Sequence, residues 1–299
     1  MRTITIGIIR RFFLGMFFLF TGMGLVFSQD SVVSQTATKA IVKAPFESGY
    51  FIDDQTVAQP PAHSLQLILQ HRFGTIQKGW EDLAGIWGNS NIRFGLDYTI
   101  TKNLLVGIGT TKIKRLQDLQ VKYTFAHQRK GGFPLTVAFY GNMAINCTNK
   151  SNFGSTFKWT DRLSYFGEFM FARRFCKEFS AQFGIGWAHY NQVDSTMKDT
   201  HVNSLYNDNL YLSGIGRVKI SPQSSIMLSY SQSVFTYLNK MPWPNVGLGI
   251  EISTSTHAFQ IYIAAAQRII PQEIAMYNDN NPYNGALLIG FNITRLWTF

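Results

Sequence analysis

The residues of this chain that could carry out chemistry are charged side chains at alternate positions of otherwise apolar segments. In residues 91–100, for example, Arg93 and Asp97 alternate with Phe94, Leu96 and Tyr98. Side chains of a β-strand point to its two faces in turn, so the charges share the face opposite the apolar residues. A charge that faces lipid at mid-depth costs about 2–4 kcal/mol, which places such charges in the lumen of a membrane barrel. The pattern assigns seven residues to this set: Arg72, Arg93, Asp97, Lys122, Glu168, Arg217 and Glu251.

Two interpretations of these lumen charges remain open. In the first, they form a narrow, mildly cationic and water-filled constriction that selects solutes by charge. In the second, they form internal ion pairs, such as Arg93 with Asp97, that close a small lumen and serve the fold alone. A barrel of about twelve strands lies between filled eight-stranded barrels and open sixteen-stranded porins, so its size does not decide between them.

The sequence contains no set of residues that indicates catalysis or a cofactor. A membrane-barrel phospholipase would carry His-x-Ser-Asn, which places base and nucleophile at adjacent outward positions of one strand. Here His63 is followed directly by Ser64, and no serine follows His127 or His189 in that spacing. We therefore expect no enzymatic activity and no catalytic residue.

A tetrapeptide that occurs twice provides weak candidates for a metal site. Tyr-Asn-Asp-Asn stands at residues 206–209 and again at residues 277–280. The carboxylates of Asp208 and Asp279, on neighbouring loops, could bind calcium through hard oxygen ligands. Alternatively, the Asn and Asp side chains form turns through local hydrogen bonds to the backbone, which is the commoner role of such runs.

The elements that must position these side chains are strands of about ten residues. Hydrophobic residues make up 45% of the chain and charged residues only 15%, against about 25% charged in soluble domains. This low charge content and the period-two alternation of the segments together predict the fold class. It is all-β, a transmembrane antiparallel up-and-down barrel of about twelve strands. One strand, over residues 208–220, has an ambiguous outer face, because Leu210, Leu212 and Val218 compete for it with Tyr211 and Ile215. Period-two alternation predicts strands over residues 64–73, 91–100, 103–111, 117–128, 133–146, 161–174, 178–190, 208–220, 224–232, 245–254, 256–266 and 285–299.

The connections between these strands alternate long with short, apart from the third, which is short where a long one is expected. Outer-membrane barrels have short periplasmic turns and longer extracellular loops. The alternation predicts that both termini lie in the periplasm. It also places Cys147 and Cys176 at opposite ends of an apolar band about 25 Å tall, whereas a disulfide needs Cα atoms within about 7 Å. We predict no bond between the two cysteines.

The first 62 residues are predicted to precede the barrel. Arg2, Arg10 and Arg11 stand before an apolar run over residues 12–27, which predicts a signal peptide over residues 1–28. Residues 29–62 have no strong period. They are predicted to form a periplasmic N-terminal segment or a plug that folds into the barrel, and the barrel itself covers residues 63–299.

The expected partners are those of an exported barrel. The net charge of +10 is not accompanied by a basic helix, P-loop or stacking motif, so nucleic acid is not expected. Outer-membrane lipid and lipopolysaccharide phosphates are expected to meet the lysines of the loops. Trp297 and the final Phe299 resemble the terminal-strand signal by which the barrel assembly machinery recognises its substrates.

Four segments resemble a known family: residues 44–48 (APFES), 69–74 (LQHRFG), 91–98 (NIRFGLDY) and 106–109 (VGIG). They are similar to an uncharacterised, Bacteroidota-type family of Gram-negative outer-membrane β-barrels, and the similarity runs from about residue 44 to the end. The resemblance implies the fold and the cell outer membrane as location. Because the family has no known function, it implies no binding or catalytic role.

The function expected from the sequence is porin-like passage of small solutes, anionic ones among them, through a narrow lumen. The alternative is a closed structural or assembly-partner barrel that acts through its loops or its N-terminal segment. The lumen charges bear on both, because a continuous path between them would favour the channel and a plugged path would favour the closed barrel.

Overall fold

The computed structural model describes residues 39–193, 207–234 and 242–299. Within these ranges, twelve antiparallel strands close into one barrel, in which each strand pairs with the next and the last pairs with the first. The predicted signal peptide (1–28) and the beginning of the predicted N-terminal segment (29–38) lie outside the described residues. No helix in the described ranges is both long and apolar enough to cross a membrane.

A short hairpin, β1 (Tyr50–Phe51) and β2 (Asp54–Gln55), precedes the barrel wall. The connection between the last two wall strands contains an α-helix, α1 (Pro271–Tyr277). The wall strands are β3 (Ser64–Thr75), β4 (Asn91–Thr101), β5 (Leu104–Thr111), β6 (Leu116–Ala126), β7 (Thr136–Asn146), β8 (Leu163–Arg174), β9 (Phe179–Tyr190), β10 (Asp208–Lys219), β11 (Ser224–Ser233), β12 (Asn245–Ser253), β13 (His257–Ala264) and β14 (Leu288–Thr298).

The predicted all-β fold with twelve strands is confirmed, and the predicted boundaries differ from the observed ones by at most three residues. The two largest differences have local causes. β7 begins at Thr136 rather than at residue 133, because Pro134 has no N–H for the strand ladder. β14 begins at Leu288 rather than at residue 285, because Gly285 has φ 73° and ends a turn. The helix α1 was not predicted and lies within a predicted loop.

The wall has an apolar outer face and a mostly polar inner face. Outward side chains such as Ile108 and Ile261 are 55% and 67% exposed, as expected for positions that meet lipid. On β10, the ambiguous strand, Tyr211 and Ile215 are buried on the inside. They point inward because one sector of the lumen is itself apolar.

The two ends of the barrel differ in the length of their connections. The end that carries residues 76–90, 112–115, 147–162 and 265–287 is termed the loop end, and the opposite end the turn end. The connection of residues 112–115 is the short exception on the loop end. Cys147 lies at the loop end and Cys176 at the turn end, and both are exposed. Whether they avoid pairing in the membrane stays a prediction, which a non-reducing gel tests.

Two segments outside the wall occupy the lumen. Residues 39–62, termed the plug, enter at the turn end, where Val42 N donates to Gln128 O at 2.8 Å. Further in, Phe46, Phe51 and Ile52 are at most 2% exposed. The helix α1, termed the lid, enters from the loop end, and each of its residues after Pro271 is buried. The barrel interior is therefore built from the wall, the plug and the lid together.

Candidate functional site

The seven predicted lumen charges all lie inside the barrel. They are at most 4% exposed, while their neighbours along each strand face outward. They come from six wall strands, so the set surrounds the lumen. Four of them, Arg72, Asp97, Lys122 and Arg217, contact the plug. Their role in selecting solutes stays a prediction.

The deepest of these contacts is an ion pair between Arg72 of β3 and Asp53 of the plug. Arg72 Nε lies 2.9 Å from Asp53 Oδ1, and neither side chain is exposed to solvent. Asn245 donates to the second oxygen of Asp53 at 2.9 Å. The guanidinium also donates to Asn292 Oδ1 at 3.1 Å and lies 4.9 Å from the ring centre of Tyr262. Each charge of the pair is thus compensated, and removing one would leave the other buried alone.

Two glutamines of the wall bind the plug backbone as a neighbouring strand would. Gln260 accepts from Ile52 N at 3.2 Å and donates to Tyr50 O at 2.7 Å. Gln182 accepts from Val57 N at 2.9 Å and donates to Gln55 O at 2.7 Å. Buried backbone groups need partners, and these amides supply both a donor and an acceptor. Sequence reasoning missed them, because an inward glutamine carries no mark that separates it from any other polar lumen residue.

The turn of the plug hairpin holds a backbone conformation that is rare for its residue type. Ile52 has φ 57°, in the left-handed region that β-branched residues avoid. Its carbonyl accepts from Asn292 Nδ2 at 2.7 Å, and its side chain is fully buried. The surrounding wall therefore determines the shape of the turn, which is how strained positions persist in folded proteins.

Three further lumen charges tie the plug to the wall. Lys122 Nζ donates to the carbonyls of Gly49 (3.2 Å) and Ala58 (3.3 Å). Asp97 accepts from the hydroxyl of Tyr50 at 3.0 Å. Nearer the turn end, Arg217 donates to Pro45 O at 3.3 Å, lies 3.3 Å from Glu47 Oε1 in the plug and lies 3.9 Å from Glu251 Oε1 in the wall.

The predicted pairing of Arg93 with Asp97 is wrong. Arg93 instead pairs with Asp118 of β6, with Nε–Oδ1 at 3.0 Å and Nη2–Oδ2 at 2.6 Å. Residues four apart on one strand are about 13 Å apart along it, beyond the reach of a direct pair. Arg93 crosses β5 at Gly109, where a Cβ would overlap both its guanidinium and the carboxylate of Asp118.

Inward glycines on intervening strands recur beneath other polar contacts. Asp97 contacts Gln120 across Gly107. Glu168 accepts from Ser213 Oγ at 2.6 Å across Gly184, where a Cβ would overlap both side chains. Glycine at an inward strand position was the signal in the sequence that could have identified these partners, since the Gly107 and Gly109 alternation was visible there.

One sector of the lumen is apolar and packs against the apolar face of the plug. Phe46, Phe51, Ile52 and Val57 form a buried cluster with wall residues of β7 to β13. The wall side of this cluster includes Phe166, Met170, Tyr211, Ile215, Met227 and Tyr262. This packing explains why Tyr211 and Ile215 occupy inner positions that sequence patterning assigns to polar residues.

The lid closes the loop end through one buried carboxylate. Glu273 Oε1 lies 3.1 Å from Lys114 Nζ and accepts from the Tyr190 hydroxyl at 2.8 Å, while Glu273 Oε2 lies 3.0 Å from Arg268 Nη1. Burial raises the pKa of Glu273, but the charges of Lys114 and Arg268 outweigh it, so that the pKa lies below its usual value. The lid backbone is bound as well, since Ala275 O accepts from Asn209 (3.2 Å).

The plug and the lid meet inside the lumen. The cavity between them, lined by Tyr50, Asp53, Arg93, Tyr140 and Pro271 among others, has a volume of about 10 Å³. That volume is about the least that can hold a single water molecule. Among the described residues, this cavity between the plug and the lid is too small for a solute larger than water.

The predicted calcium candidates have other partners. Asp208 Oδ1 accepts from Trp187 Nε1 at 2.9 Å and lies 2.7 Å from His189 Nδ1. Asp279 is exposed, and Asn280 beside it donates to Ala265 O at 2.7 Å. No group of three potential metal-ligating His, Cys, Asp or Glu residues occurs in the part of the chain that the structure describes. Asn280 bonds a residue 15 positions away and Asn209 bonds one 66 positions away, so these contacts are not the local turn hydrogen bonds of the alternative interpretation. Tyr206 lies outside the described residues.

The predicted assembly signal lies at the turn end of β14. Trp297 pairs in register with Leu65 of β3, at the seam where the barrel closes. The ring of Trp297 lies 5.4 Å from the guanidinium carbon of Arg295, and Phe299 is 85% exposed. Recognition of these residues by an assembly machinery stays a prediction.

Comparison with known proteins identifies a family and a set of similar folds. Residues 46–297 match the family model described as "Membrane bound beta barrel domain (DUF5777)". Among solved structures, the NanC porin is similar at 10% identity over 79% of this chain and 99% of that one, with a TM-score of 0.48. The KdgM porin matches at 7% identity over 79% and 99%, with a TM-score of 0.43. The translocator domain of NalP from Neisseria meningitidis matches at 8% identity over 81% and 91%, with a TM-score of 0.37. The comparison with curated proteins returned no match.

Proposed function

Because this chain belongs to the family of membrane-bound β-barrel domains, we propose that it is a plugged outer-membrane channel that passes small solutes when the plug leaves the lumen. One observation carries the proposal: the plug is held by side chains and forms no part of the wall. Its backbone hydrogen bonds to the wall backbone in the described residues occur near the turn end, at residues 40–42. The plug can therefore leave without breaking a strand ladder.

An anionic solute is the proposed cargo, because plug release would remove the plug partners of several cations of the wall. Arg72 and Arg217 are paired in the closed state with Asp53 and Glu47 of the plug. Lys122 would also lose its contacts with two plug carbonyls, whereas Arg217 would keep Glu251 and Arg93 would keep Asp118 as partners in the wall. A carboxylate of a solute can then take the place of Asp53 at Arg72.

Planar-bilayer conductance tests the proposal. The full chain is expected to be closed, and a variant that lacks residues 30–62 is expected to conduct. In a salt gradient its reversal potential should indicate a preference for anions, and Arg72→Gln in the truncated chain should reduce that preference. Heat-modifiable migration on a gel controls for folding of each variant. A folded truncated barrel that shows no conductance steps would contradict the channel.

The second candidate is a closed barrel that acts through its loops or its N-terminal segment. It is favoured by the fully buried ion pair of Arg72 and Asp53 and by closure from both ends. Such a barrel would stay closed at any voltage and would lose function, without gaining conductance, when the plug is deleted. The conductance of the truncated variant therefore separates the two candidates.

The proposed orientation places the turn end and both termini in the periplasm, with the long loops outside the cell. The alternation of connection lengths supports it. The native cysteines provide the test, because Cys147 and Cys176 are exposed at opposite ends. A membrane-impermeant maleimide on intact cells should label the Cys176→Ser variant and spare the Cys147→Ser variant. The opposite result would invert the orientation.

Two partners complete the proposal. Lipopolysaccharide is expected to contact the loop end through exposed lysines such as Lys150 and Lys158. The barrel assembly machinery is expected to recognise β14 through Trp297 and Phe299. Replacing Phe299 by alanine should lower the amount of folded barrel in the membrane without changing the conductance of the protein that does assemble.

A further inference from the structure

A second cavity opens at the loop end, above the lid. Its volume is about 390 Å³, within the range of sites for small molecules. Glu273, Tyr277 and Tyr190 line it beside the lid, and the remaining wall includes Lys114, Phe153 and Arg162. The cavity lies outside the space that the plug occupies, so it exists while the lumen is closed.

Arg162 is held in place at this cavity without a ligand. Its Nη1 donates to Asn146 O at 2.6 Å and to Thr148 O at 2.7 Å. Its guanidinium carbon lies 4.9 Å and 5.0 Å from the ring centres of Phe153 and Phe157. A guanidinium that is fixed by two carbonyls and two rings loses little further freedom when it binds a ligand.

Arg162 forms no ion pair with a carboxylate among the described residues, although its chain neighbour Asp161 also lines the cavity. Its neighbour Asp161 accepts instead from Lys158 N at 2.7 Å, across the short turn that they form. Nη1 is used by the two carbonyls, whereas Nε and Nη2 have no hydrogen-bond partner in the described ranges. That free edge is the one that binds a carboxylate through two parallel hydrogen bonds.

The other charged residues of the cavity lining are Lys114, Asp161 and Glu273. Lys114 and Arg268, which lies outside the lining, share the carboxylate of Glu273, so Arg162 is the lining cation that has no ion pair among the described residues. Lys114 Nζ lies 3.8 Å from the ring centre of Tyr277. Lys114 and Arg115 both have positive φ, 57° and 49°, an uncommon conformation that tends to persist at functional sites.

We propose that this cavity binds a small organic anion whose carboxylate pairs with the free edge of Arg162, while its body lies against Tyr190 and Tyr277. The site goes beyond the channel proposal and does not depend on it. Binding is measured on the plugged protein, and conductance is measured after plug removal, so each can fail alone.

Ligand-detected NMR on the full chain in detergent tests the site, with benzoate, gluconate and acetate as probes and benzamide as the uncharged counterpart of benzoate. At least one carboxylate should bind, and benzamide should not. Arg162→Gln should weaken that binding about tenfold or more, because a charge-assisted bidentate pair is lost. Arg162→Lys keeps the charge without the planar edge and should weaken binding less.

Arg174→Gln is the matched control. Arg174 also donates to backbone carbonyls, those of Cys176 and Lys177, but it lies at the turn end. Its replacement should leave binding unchanged, and heat-modifiable migration should show that all variants fold. The proposal fails if no carboxylate binds, if benzamide binds as well as benzoate, or if Arg162→Gln and Arg174→Gln bind equally.

Discussion

The plug and the lid both fill the lumen, but they are held by ion pairs in different surroundings. In the plug, Arg72 and Asp53 are both fully buried. In the lid, Glu273 is 2% exposed, but its partners Lys114 and Arg268 are 23% and 24% exposed. A dehydrated charge that loses its partner cannot recover its solvation, whereas a cation at the rim of a cavity can turn toward water.

This difference makes the plug the stronger closure of the two. Breaking a buried pair by removing one partner costs about 3–5 kcal/mol, while exposed pairs contribute about 0–1 kcal/mol. The free energy of the ion pairs that hold the lid lies between these limits, because only their carboxylate is buried. We therefore expect the lid to open first and more often, and the plug to control whether solute crosses the barrel.

The largest effect is expected from Asp53→Asn. The variant leaves the guanidinium of Arg72 buried without a carboxylate, so the plug should lose about 3–5 kcal/mol of its docking free energy. Hydrogen exchange of the plug amides measures this loss. Glu47→Gln is the matched control, because Glu47 is 25% exposed and its replacement should cost about 1 kcal/mol or less. If the plug amides were equally protected from exchange in Asp53→Asn and Glu47→Gln, the buried ion pair of Asp53 would contribute no more to plug docking than the partly exposed pair of Glu47. That result would contradict the comparison.

A smaller effect is expected from Gln260→Ala. The backbone groups of Tyr50 and Ile52 lose their partners, which should weaken plug docking by about 2 kcal/mol. Gln66→Ala is the control, since Gln66 is a buried glutamine of the wall whose Oε1 has no hydrogen-bond partner in the described chain. Faster exchange at Ile52 in Gln260→Ala alone would support the role of the amide, and identical rates would refute it.

Glu273→Gln is expected to weaken docking of the lid less than Asp53→Asn weakens docking of the plug. Glu273→Gln removes the charge that Lys114 and Arg268 share and should destabilise the docked lid by about 1.5 kcal/mol, because both cations retain contact with water. Exchange of the amides of α1 should increase while that of the plug hairpin stays unchanged. If the plug amides exchange faster as well, the two closures are coupled and the comparison between them does not hold.

The smallest effect is a pH dependence confined to the lid. Burial raises the pKa of Glu273 in the docked lid, but Lys114 and Arg268 outweigh it and hold the pKa below its usual value of 4.5. The resulting stability is fully present above pH 4.5 and is lost as the pH falls through the lowered pKa. Lid protection should therefore be constant from pH 7 to pH 5 and decline below that, and Glu273→Gln should remove the decline. A decline that survives in this variant would assign the pH dependence to another group.

Much of the fold could be predicted because its signal is local. The period of two in residues 91–100 follows from strand geometry, and it placed Arg93 and Asp97 inside before any pairing was known. The two largest differences in strand boundaries lie where local chemistry intervenes, at Pro134 and Gly285. The helix α1 was missed because seven residues within a loop are too few to establish a helical period.

The contacts of the candidate site could not be predicted in the same way. Arg93 pairs with Asp118 because β5 presents a glycine between them, and the register that aligns Gly109 with Asp118 exists only in the closed sheet. The Arg162 cavity is assembled from connections that meet only after the barrel closes. Neither arrangement leaves a periodic pattern in the sequence.

The sequence by itself determined a membrane barrel of twelve strands and the side chains that face its lumen, because alternation along a strand is a property of the backbone at each residue. Only the tertiary structure decided that the lumen is closed, because closure depends on contacts between residues far apart in the chain. Ile52 O and Asn292 Nδ2, for example, are separated by 240 positions and lie 2.7 Å apart. The closed barrel also determines which charges form ion pairs and that Arg162 forms none among the described residues.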